Sequence, residues 1–346
     1  IQKGGKSMKK TLFIALGSKG LGLLAMSFML SGCQSLAISL THGAVENETT
    51  KKNVQALAAY ADKNVKNDLR ITGNYRYGEL PSSRMDIVTP STRPGQHYPV
   101  IVLVHGGGWV AGNKESMLAY ARLLADQGFA VVNVEYSLVP TQAFPTQLKQ
   151  LNQALQTLST LHNWPLDLNR LFLSGDSAGA NIVSNYAALL NSPLLQQQLA
   201  MTPAIQPQQL KGLVVHSGVY DIASLYQSGQ KLPWTTRWIM QEVLGAYSGE
   251  KPPSLRKLYA MSATPWLTTH YPPVWISASD NDLLTQGQSR PFIERLTTLN
   301  VPVEAHIYPK QWPEPLNHDF EFSMQYRASQ QVFDSSVDFI RRYSDR

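Results

Sequence analysis

The five residues Gly175-Asp176-Ser177-Ala178-Gly179 lie directly between the apolar run Leu171-Phe172-Leu173 and a stretch of helical character. This order places a serine on a sharp strand-to-helix turn, the geometry called a nucleophile elbow. Such a turn strains its central residue and brings the strand and helix backbones close together, so the positions two before and two after the serine must be nearly free of side chain. Gly175 and Gly179 meet that requirement, which makes Ser177 a candidate nucleophile.

A second motif, rich in glycine, lies about seventy residues upstream of this serine. The apolar run 100–104 leads directly into His105-Gly106-Gly107-Gly108-Trp109. Glycines leave backbone N–H groups bare, and such groups can point at an oxygen atom that gains negative charge during a reaction. We expect His105 to hold this loop by hydrogen bonds. Asp176 adjoins Ser177, but a neighbour on the elbow points away from the serine, so we expect packing or loop fixing from it.

Strand-like and helix-like runs alternate along the chain from about residue 70 onward. Helical spacing of apolar residues occurs at Leu148, Leu151 and Leu155, and again at Phe333 and Val337. The candidate strands are 75–77, 85–88, 100–104, 130–134, 171–173, 213–215, 274–276 and 303–307. This alternation predicts an α/β fold with a mostly parallel sheet of about eight strands, covered by helices on both faces. Ligands bind such sheets beyond the carboxyl ends of the strands, where both motifs fall.

A serine hydroxyl becomes a good nucleophile only when a base takes its proton, and that base needs a carboxylate partner. In folds with this elbow, acid and base follow the serine in chain order. His216, His270 and His306 lie in or beside candidate strands, whereas His318 lies in a loop after the last one. The sequence therefore predicts His318 as the base.

Two aspartates compete for the role of the acid. Asp280 and Asp282 both follow the apolar run 274–278, so both lie at the carboxyl end of a candidate strand. Either could instead serve the turn of the loop, as aspartate commonly does. Spacing alone does not separate them.

Taken in order, these motifs resemble those of the α/β-hydrolase superfamily and, within it, the bacterial hormone-sensitive-lipase-like esterases. The resemblance covers about residues 70–342 and includes Tyr136-Ser137-Leu138-Val139-Pro140. It implies an α/β-hydrolase domain over residues 70–346 and hydrolysis of small-molecule esters. The family carries its acid in an Asp-x-Leu sequence, which here selects Asp282.

The same resemblance implies roles for the glycine-rich residues. Backbone N–H groups of Gly107, Gly108 and Ala178 would form the oxyanion hole. The supporting positions of the two motifs would be His105, Gly106, Gly175 and Gly179. The chain departs from the family pattern at Thr141 and Gln150, where acidic residues are usual, and at Asp319, where glycine is more usual.

The resemblance also implies a small cap, inserted at about residues 219–265. Trp234 and Trp238 fall in this stretch, where they would either line an acyl pocket or pack the cap. A compact cap predicts a small enclosed acyl pocket and a preference for short acyl chains. No phosphate loop, dinucleotide-binding glycine pattern or His/Cys metal cluster is present in the sequence, which predicts chemistry without cofactor or metal.

Two other functions remain open at this point. The His-Gly-Gly-x-Trp form of the glycine motif also resembles arylformamidases and feruloyl or acetyl-xylan esterases, so an amide or formamide substrate is an alternative. A non-catalytic, lipid-anchored binding protein on a hydrolase fold is the second, because a fold does not determine a function.

The first 32 residues predict a targeting signal. Met8-Lys9-Lys10 gives a positive start, and 21–30 is apolar but too short to span a bilayer comfortably. Five of the six net positive charges lie in this segment, which contains no acid, so the remaining chain carries a net charge of +1. The basic composition therefore gives no support for a nucleic-acid partner.

The signal ends in Leu30-Ser31-Gly32-Cys33, which resembles the lipobox of bacterial lipoproteins. Cys33 is the only cysteine in the chain, so it has no partner for an internal disulfide. We expect a lipid on Cys33, with a polar tether over 34–52 and a short helix around Val54 and Leu57 completing a segment 33–69. Gln34 after the cysteine suggests the outer membrane of a bacterial cell envelope, facing the periplasm. An ordinary signal helix with an incidental cysteine is the alternative.

Overall fold

A computed structural model describes residues 34–91 and 95–345 of the chain. A sheet of eight strands forms its centre. The strands are β1 (Leu69–Arg76), β2 (Arg84–Pro90), β3 (Tyr98–Val104), β4 (Ala130–Val134), β5 (Leu166–Asp176), β6 (Leu210–His216), β7 (Val274–Ser279) and β8 (Val303–Tyr308). Each of the eight predicted strands is present in this set.

Neighbouring strands follow the order β1-β2-β4-β3-β5-β6-β7-β8. β2 is antiparallel to both of its neighbours, whereas all strand pairs from β4 to β8 are parallel. The carboxyl ends of β3, β5, β6 and β7 consequently meet at one edge of the sheet. The predicted α/β class with a mostly parallel sheet is confirmed.

Helices flank the sheet on both sides. They are α1 (34–45), α2 (Glu48–Asn64), α3 (Lys114–Asp126), α4 (Thr146–Leu158), α5 (Ser177–Leu190), α6 (Pro193–Leu199), α7 (Ile222–Gly229), α8 (Trp234–Ser248), α9 (Leu255–Ala260), α10 (Arg290–Thr298) and α11 (Arg327–Ser344). Short 3₁₀ turns lie at Pro207–Gln209, Thr264–Trp266 and Phe320–Phe322.

The continuous apolar run of β3 is explained by burial on both faces. Val100, Val102 and Val104 enter one hydrophobic core, and the intervening Ile101 and Leu103 enter a second core on the opposite face. Side chains alternate between the faces of a strand, so a strand covered on both sides has no position for a polar residue. The rigid sheet then fixes the loops that follow its strands.

The N-terminal segment differs from the expected polar tether. Residues 34–45 form α1, whose Ala37 and Ile38 are buried, and Val45 packs against the same core as Ile38. These apolar residues recur at helical spacing among polar ones, and tertiary packing of that face stabilises the helix. Cys33 and the predicted signal 1–32 lie outside the described residues.

The insertion between β6 and β7 contains three helices, α7, α8 and α9. They occupy the stretch that the sequence suggested for a cap. No helix in the described part of the chain is long and apolar enough to cross a membrane.

Candidate active site

The elbow at Ser177 joins β5 directly to α5. Ser177 has a φ of 49°, a left-handed backbone conformation that is uncommon outside glycine. A Cβ atom on Gly175 would lie 2.6 Å from the carbonyl carbon of Gly179, and one on Gly179 would collide with the carbonyl oxygen of Val104. Both glycines are therefore required by the close approach of strand and helix, and the turn presents the serine at the edge of the sheet.

Hydrogen bonds from His105 hold the glycine loop that follows β3. Its Nδ1 lies 2.8 Å from the carbonyl oxygen of Gly106, and its Nε2 lies 3.0 Å from Oε1 of Glu135. The ring also stacks on Tyr136 at a centroid distance of 4.2 Å. His105 thus has the contacts expected of a loop-holding residue.

Asp176 ties this loop to the elbow. The backbone N–H of Gly106 donates to Oδ1 of Asp176 at 3.0 Å, and a Cβ atom on Gly106 would collide with the other carboxylate oxygen. Burial and the nearby charge of Asp319 raise the pKa of Asp176 well above its usual value. Its contacts are those of a loop-fixing residue, as the sequence suggested.

Gly107 and Gly108 both have left-handed backbone conformations, with φ values of 111° and 60°. The carbonyl of Gly107 accepts from the N–H groups of Val110 and Ala111, which closes the turn. Within the described residues, the N–H groups of Gly107 and Gly108 donate to no protein acceptor. Ala178 is the second residue of α5, and a helix leaves its first N–H groups without an intrahelical partner. These three positions therefore offer unpaired donors next to Ser177.

Ser177, His318 and Asp282 form one hydrogen-bonded chain. Oγ of Ser177 lies 3.0 Å from Nε2 of His318, and Nδ1 of His318 lies 2.7 Å from Oδ2 of Asp282. The other oxygen of Asp282 accepts from the backbone N–H of Leu284 at 2.9 Å, which fixes the carboxylate. Asp282 is buried, whereas the His318 side chain is 38% exposed. A serine so placed can pass its proton to the imidazole, whose charge the carboxylate can then stabilise.

The other candidates lie elsewhere. Asp280 forms an ion pair with Arg290 at 2.8 Å, on the exposed side of the loop. His216 is buried with Nδ1 2.8 Å from Ser277, and His306 lies 3.0 Å from Ser335. Of the two aspartates that spacing left open, only Asp282 contacts His318.

Two carboxylates act on the protonation of His318. Partial removal from water would by itself lower the pKa of His318, but the negative charges of Asp319 and Asp282 outweigh it and raise that pKa above its usual value. Oδ2 of Asp319 lies 3.4 Å from Nε2 of His318. Asp319 itself has a φ of 57°, which explains in backbone terms why glycine suits this position.

We expect Asp319→Asn to lower the pKa of His318. The substitution removes a negative charge that favours the imidazolium, and asparagine tolerates the left-handed backbone about as well as aspartate. An NMR titration of the His318 ring in both proteins measures the effect. Asp280→Asn is the matched control, since its carboxylate is paired with Arg290. An unchanged or raised pKa in Asp319→Asn would contradict the electrostatic account.

Gln150 takes the place of an acidic residue of the family pattern. Its Oε1 accepts from the backbone N–H of Ser137 at 2.8 Å, and its Nε2 donates to the hydroxyls of Ser82 and Ser83. An amide supplies both an acceptor and a donor here, whereas a carboxylate supplies only acceptors. Gln150 therefore supports the segment that follows Tyr136.

A cavity of about 750 Å³ opens beside Ser177 and His318. One wall comes from α1, α2 and their junction: Ala44, Val45, Glu46, Thr50, Lys51, Asn53, Val54, Gln55 and Leu57. The other walls come from the glycine loop, the start of α3 and the loop around His318. This volume is typical of a small-molecule site and exceeds what a small enclosed acyl pocket would need.

Of the two roles open to Trp234 and Trp238, lining of this cavity is not seen. Trp234 is 71% exposed, and neither Trp234 nor Trp238 lies among the cavity residues. The N-terminal helices line it instead, and Oε1 of Glu46 accepts from the backbone N–H of Gly112 at 3.0 Å. Sequence reasoning missed this wall, although the helical spacing of Ala37, Ile38 and Val45 was the available signal.

Within residues 34–91 and 95–345, no group of three or more His, Cys, Asp or Glu side chains is arranged to hold a metal ion. The polar groups nearest the Ser177 hydroxyl include those of the hydrogen-bonded chain and the unpaired N–H groups. The arrangement is suited to nucleophilic attack on a carbonyl carbon, with a proton transferred through His318.

Comparison with known proteins gives the family. A model of the α/β hydrolase fold matches residues 101–317, more than half of the chain, and the chain therefore belongs to this family. The match runs from β3 to the residue before His318.

Individual relatives are distant. The chain is 24% identical over 230 residues to the esterase LipC of Mycobacterium tuberculosis. The aligned region covers 65% of this chain and 54% of LipC. It is 28% identical over 149 residues to the kynurenine formamidase of Salmo salar. That aligned region covers 43% of this chain and 46% of the formamidase. The chain thus spans about half the length of the curated relatives it matches.

Solved structures agree on the fold. The crystal structure of esterase B from Lactobacillus rhamnosis superposes with a TM-score of 0.73 at 21% identity, covering 89% of this chain and 96% of that one. At this identity the likeness establishes the architecture alone.

Proposed function

We propose that this protein is a serine carboxylesterase of the α/β-hydrolase type. One observation carries the proposal: Ser177 on its elbow, His318 and Asp282 form a continuous hydrogen-bonded chain at the mouth of a cavity. Family membership and the esterases among its relatives support the same activity.

In the proposed reaction, Oγ of Ser177 attacks the ester carbonyl carbon while Nε2 of His318 takes the hydroxyl proton. Asp282 holds the imidazole and stabilises its positive charge. The carbonyl oxygen becomes an oxyanion, to which the N–H groups of Gly107, Gly108 and Ala178 donate.

The tetrahedral intermediate then collapses, and the departing alkoxide takes the proton from His318 and leaves as the alcohol. Water attacks the acyl-enzyme and gives a proton to His318, which returns it to Ser177 as the carboxylic acid leaves. The cycle consumes one water and needs no cofactor.

A fluorophosphonate probe tests the proposal directly, because it reacts only with an activated serine. We expect one covalent label on Ser177, located by peptide mass spectrometry, together with hydrolysis of p-nitrophenyl acetate. A folded protein that takes no label would instead favour a binding protein on a hydrolase fold.

A formamidase is the second candidate, favoured by the similarity to a kynurenine formamidase. The same nucleophile and oxyanion donors can act on a formamide, so the two functions differ in the leaving group. Matched acetyl-ester and N-formyl substrates of one aromatic alcohol and amine, compared by kcat/KM, discriminate between them. The carboxylesterase proposal requires the ester to be the better substrate.

We expect activity to be highest with short acyl chains. Beyond its apolar residues the cavity carries Thr50, Lys51 and Asn53 from α2 and Glu115 from α3. A long alkyl chain would displace water from these polar groups without replacing their hydrogen bonds, whereas each added methylene gains only about 0.8 kcal/mol of burial. A series of p-nitrophenyl esters from acetate to palmitate, compared by kcat/KM, measures the preference. A maximum at the long end would make this a lipase.

We also propose that Cys33 is acylated and anchors the protein to the outer membrane of a bacterial envelope, facing the periplasm. The support is the sequence Leu30-Ser31-Gly32-Cys33 behind a signal of the right kind. Several acyl chains would make such an anchor stable. Expressed with its signal, the wild type should sediment with membranes, and Cys33→Ser should not. If Cys33→Ser stays equally membrane-bound, an uncleaved signal helix is the anchor instead.

A further inference from the structure

A buried carboxylate that the proposed reaction does not use lies beneath the His318 loop. Glu321 follows His318 by three residues, within the 3₁₀ turn Phe320–Phe322, and is only 1% exposed. Among the described residues, no lysine or arginine pairs with it. Burying an unpaired carboxyl group is costly, so a site that keeps one calls for an explanation.

Two serines, one on β7 and one directly after β6, donate to Glu321. The hydroxyl of Ser277, on β7, donates to Oε1 at 2.7 Å, and that of Ser217, directly after β6, lies 3.3 Å from both carboxylate oxygens. The oxygen of Ser217 also accepts from the backbone N–H of Asp319 at 3.4 Å. Glu321 therefore joins the His318 loop to the carboxyl ends of two neighbouring strands.

A buried histidine, His216, extends this hydrogen-bond network on the far side of Ser277. Because the single proton of the Ser277 hydroxyl is donated to Glu321, Nδ1 of His216 must donate to the Ser277 oxygen, at 2.8 Å. Burial lowers the pKa of His216 to about 3, so its ring stays neutral. The donors thus run from His216 through Ser277 to Glu321, and all three side chains are buried.

We propose that Glu321 is a positioning residue, which fastens the His318 loop to β6 and β7 and so keeps the imidazole between Ser177 and Asp282. This role rests on the proposed function. Glu321 touches neither the nucleophile nor the cavity, and it acts only through the loop that carries His318.

Glu321 could also act on His318 through its charge, and the groups around the imidazole bear on that alternative. The imidazole is faced by Asp282 and Asp319, with Asp176 and Glu321 behind them. Burial and the charge of Asp319 raise the pKa of Glu321 to about 8. A positioning role rests on the hydrogen bonds of Glu321, which glutamine can largely reproduce and alanine cannot.

The experiment compares Glu321→Gln and Glu321→Ala with the wild type at pH 7. We expect Glu321→Ala to lower kcat roughly 10- to 100-fold with KM little changed, because a small displacement of the base impairs proton transfer more than binding. Glu321→Gln should recover most of that loss. Asn185→Ala is the control for stability, since it loses one buried hydrogen bond to the carbonyl of Ala260 in the cap.

A readout without turnover accompanies the kinetics: the far-downfield proton resonance of the His318 Nδ1–H that faces Asp282. It should persist in Glu321→Gln and broaden or vanish in folded Glu321→Ala. Should Glu321→Ala keep both this resonance and the kcat of the wild type, the positioning role is wrong. Equal impairment of the Gln and Ala variants would also overturn it. If the wild type lacks esterase activity but the resonance responds as described, the proposed reaction fails while the positioning role stands.

Discussion

Replacing Ser177 by alanine should lower kcat for p-nitrophenyl acetate by about six orders of magnitude. The side chain carries the only hydroxyl in hydrogen-bonding distance of Nε2 of His318 among the described residues. Without it no acyl-enzyme forms, and only the oxyanion donors and the cavity remain to assist direct attack by water. Steady-state kinetics and loss of fluorophosphonate labelling measure the effect.

Ser174→Ala is a matched control on the strand that leads to the nucleophile. Ser174 is buried three residues before the nucleophile, and its hydroxyl has no hydrogen-bond partner within the described residues. Its removal should leave both labelling and kcat close to the wild type. Activity that survived in a folded Ser177→Ala protein would rule out the serine mechanism altogether.

The second large effect is expected of Asp282→Asn, which should lower kcat by about four orders of magnitude. The amide offers an N–H₂ group to Nδ1 of His318 in place of a carboxylate oxygen, so it favours the wrong tautomer and cannot stabilise the imidazolium. The oxygen that accepts from Leu284 remains, so the loop should keep its shape. kcat and thermal melting together separate lost chemistry from lost folding.

Asp280→Asn gives the comparison that decides between the two aspartates. Asp280 pairs with Arg290, whose side chain is 46% exposed, and exposed ion pairs stabilise proteins by little. We expect kcat to change by less than about threefold, as surface substitutions away from a site commonly have small effects. A larger loss in Asp280→Asn than in Asp282→Asn would reverse the assignment of the acid.

Local patterns were sufficient to predict the sheet and the elbow. The run 100–104 forms a strand whose two faces are both buried, and Gly175 is required by its close approach to Gly179, in the same short motif. In each case the residue pattern itself occupies a short stretch of chain, so it is visible in the sequence.

The choice between the two candidate acids, Asp280 and Asp282, depends on contacts that the sequence does not show. Asp280 and Asp282 follow the same strand two residues apart, and what separates them is that one faces Arg290 and the other His318. Neither partner is adjacent in sequence to the aspartate that it contacts. Resemblance to a family supplied the choice that spacing could not.

The cavity wall and Glu321 depended on contacts between distant parts of the chain. The polar composition of 34–52 concealed the short apolar face that packs α1 on the core, and helix formation there is decided by that packing. Glu321 gives no local signal at all, because its partners Ser217 and Ser277 are about one hundred and about forty residues away.

The position of α1 between the proposed lipid anchor and the cavity affects how substrate would reach Ser177. It is helical from residue 34, one residue after the proposed anchor, and about 15 Å of helix separates that point from Ala44 at the cavity. Leu36 and Leu40 lie one turn apart on it, about half exposed. An acylated Cys33 would then keep the cavity close to the membrane surface, where esters partitioned into the leaflet would be a source of substrate. A short-chain ester that dissolves in both phases would reach the serine by diffusion in two dimensions as well as three.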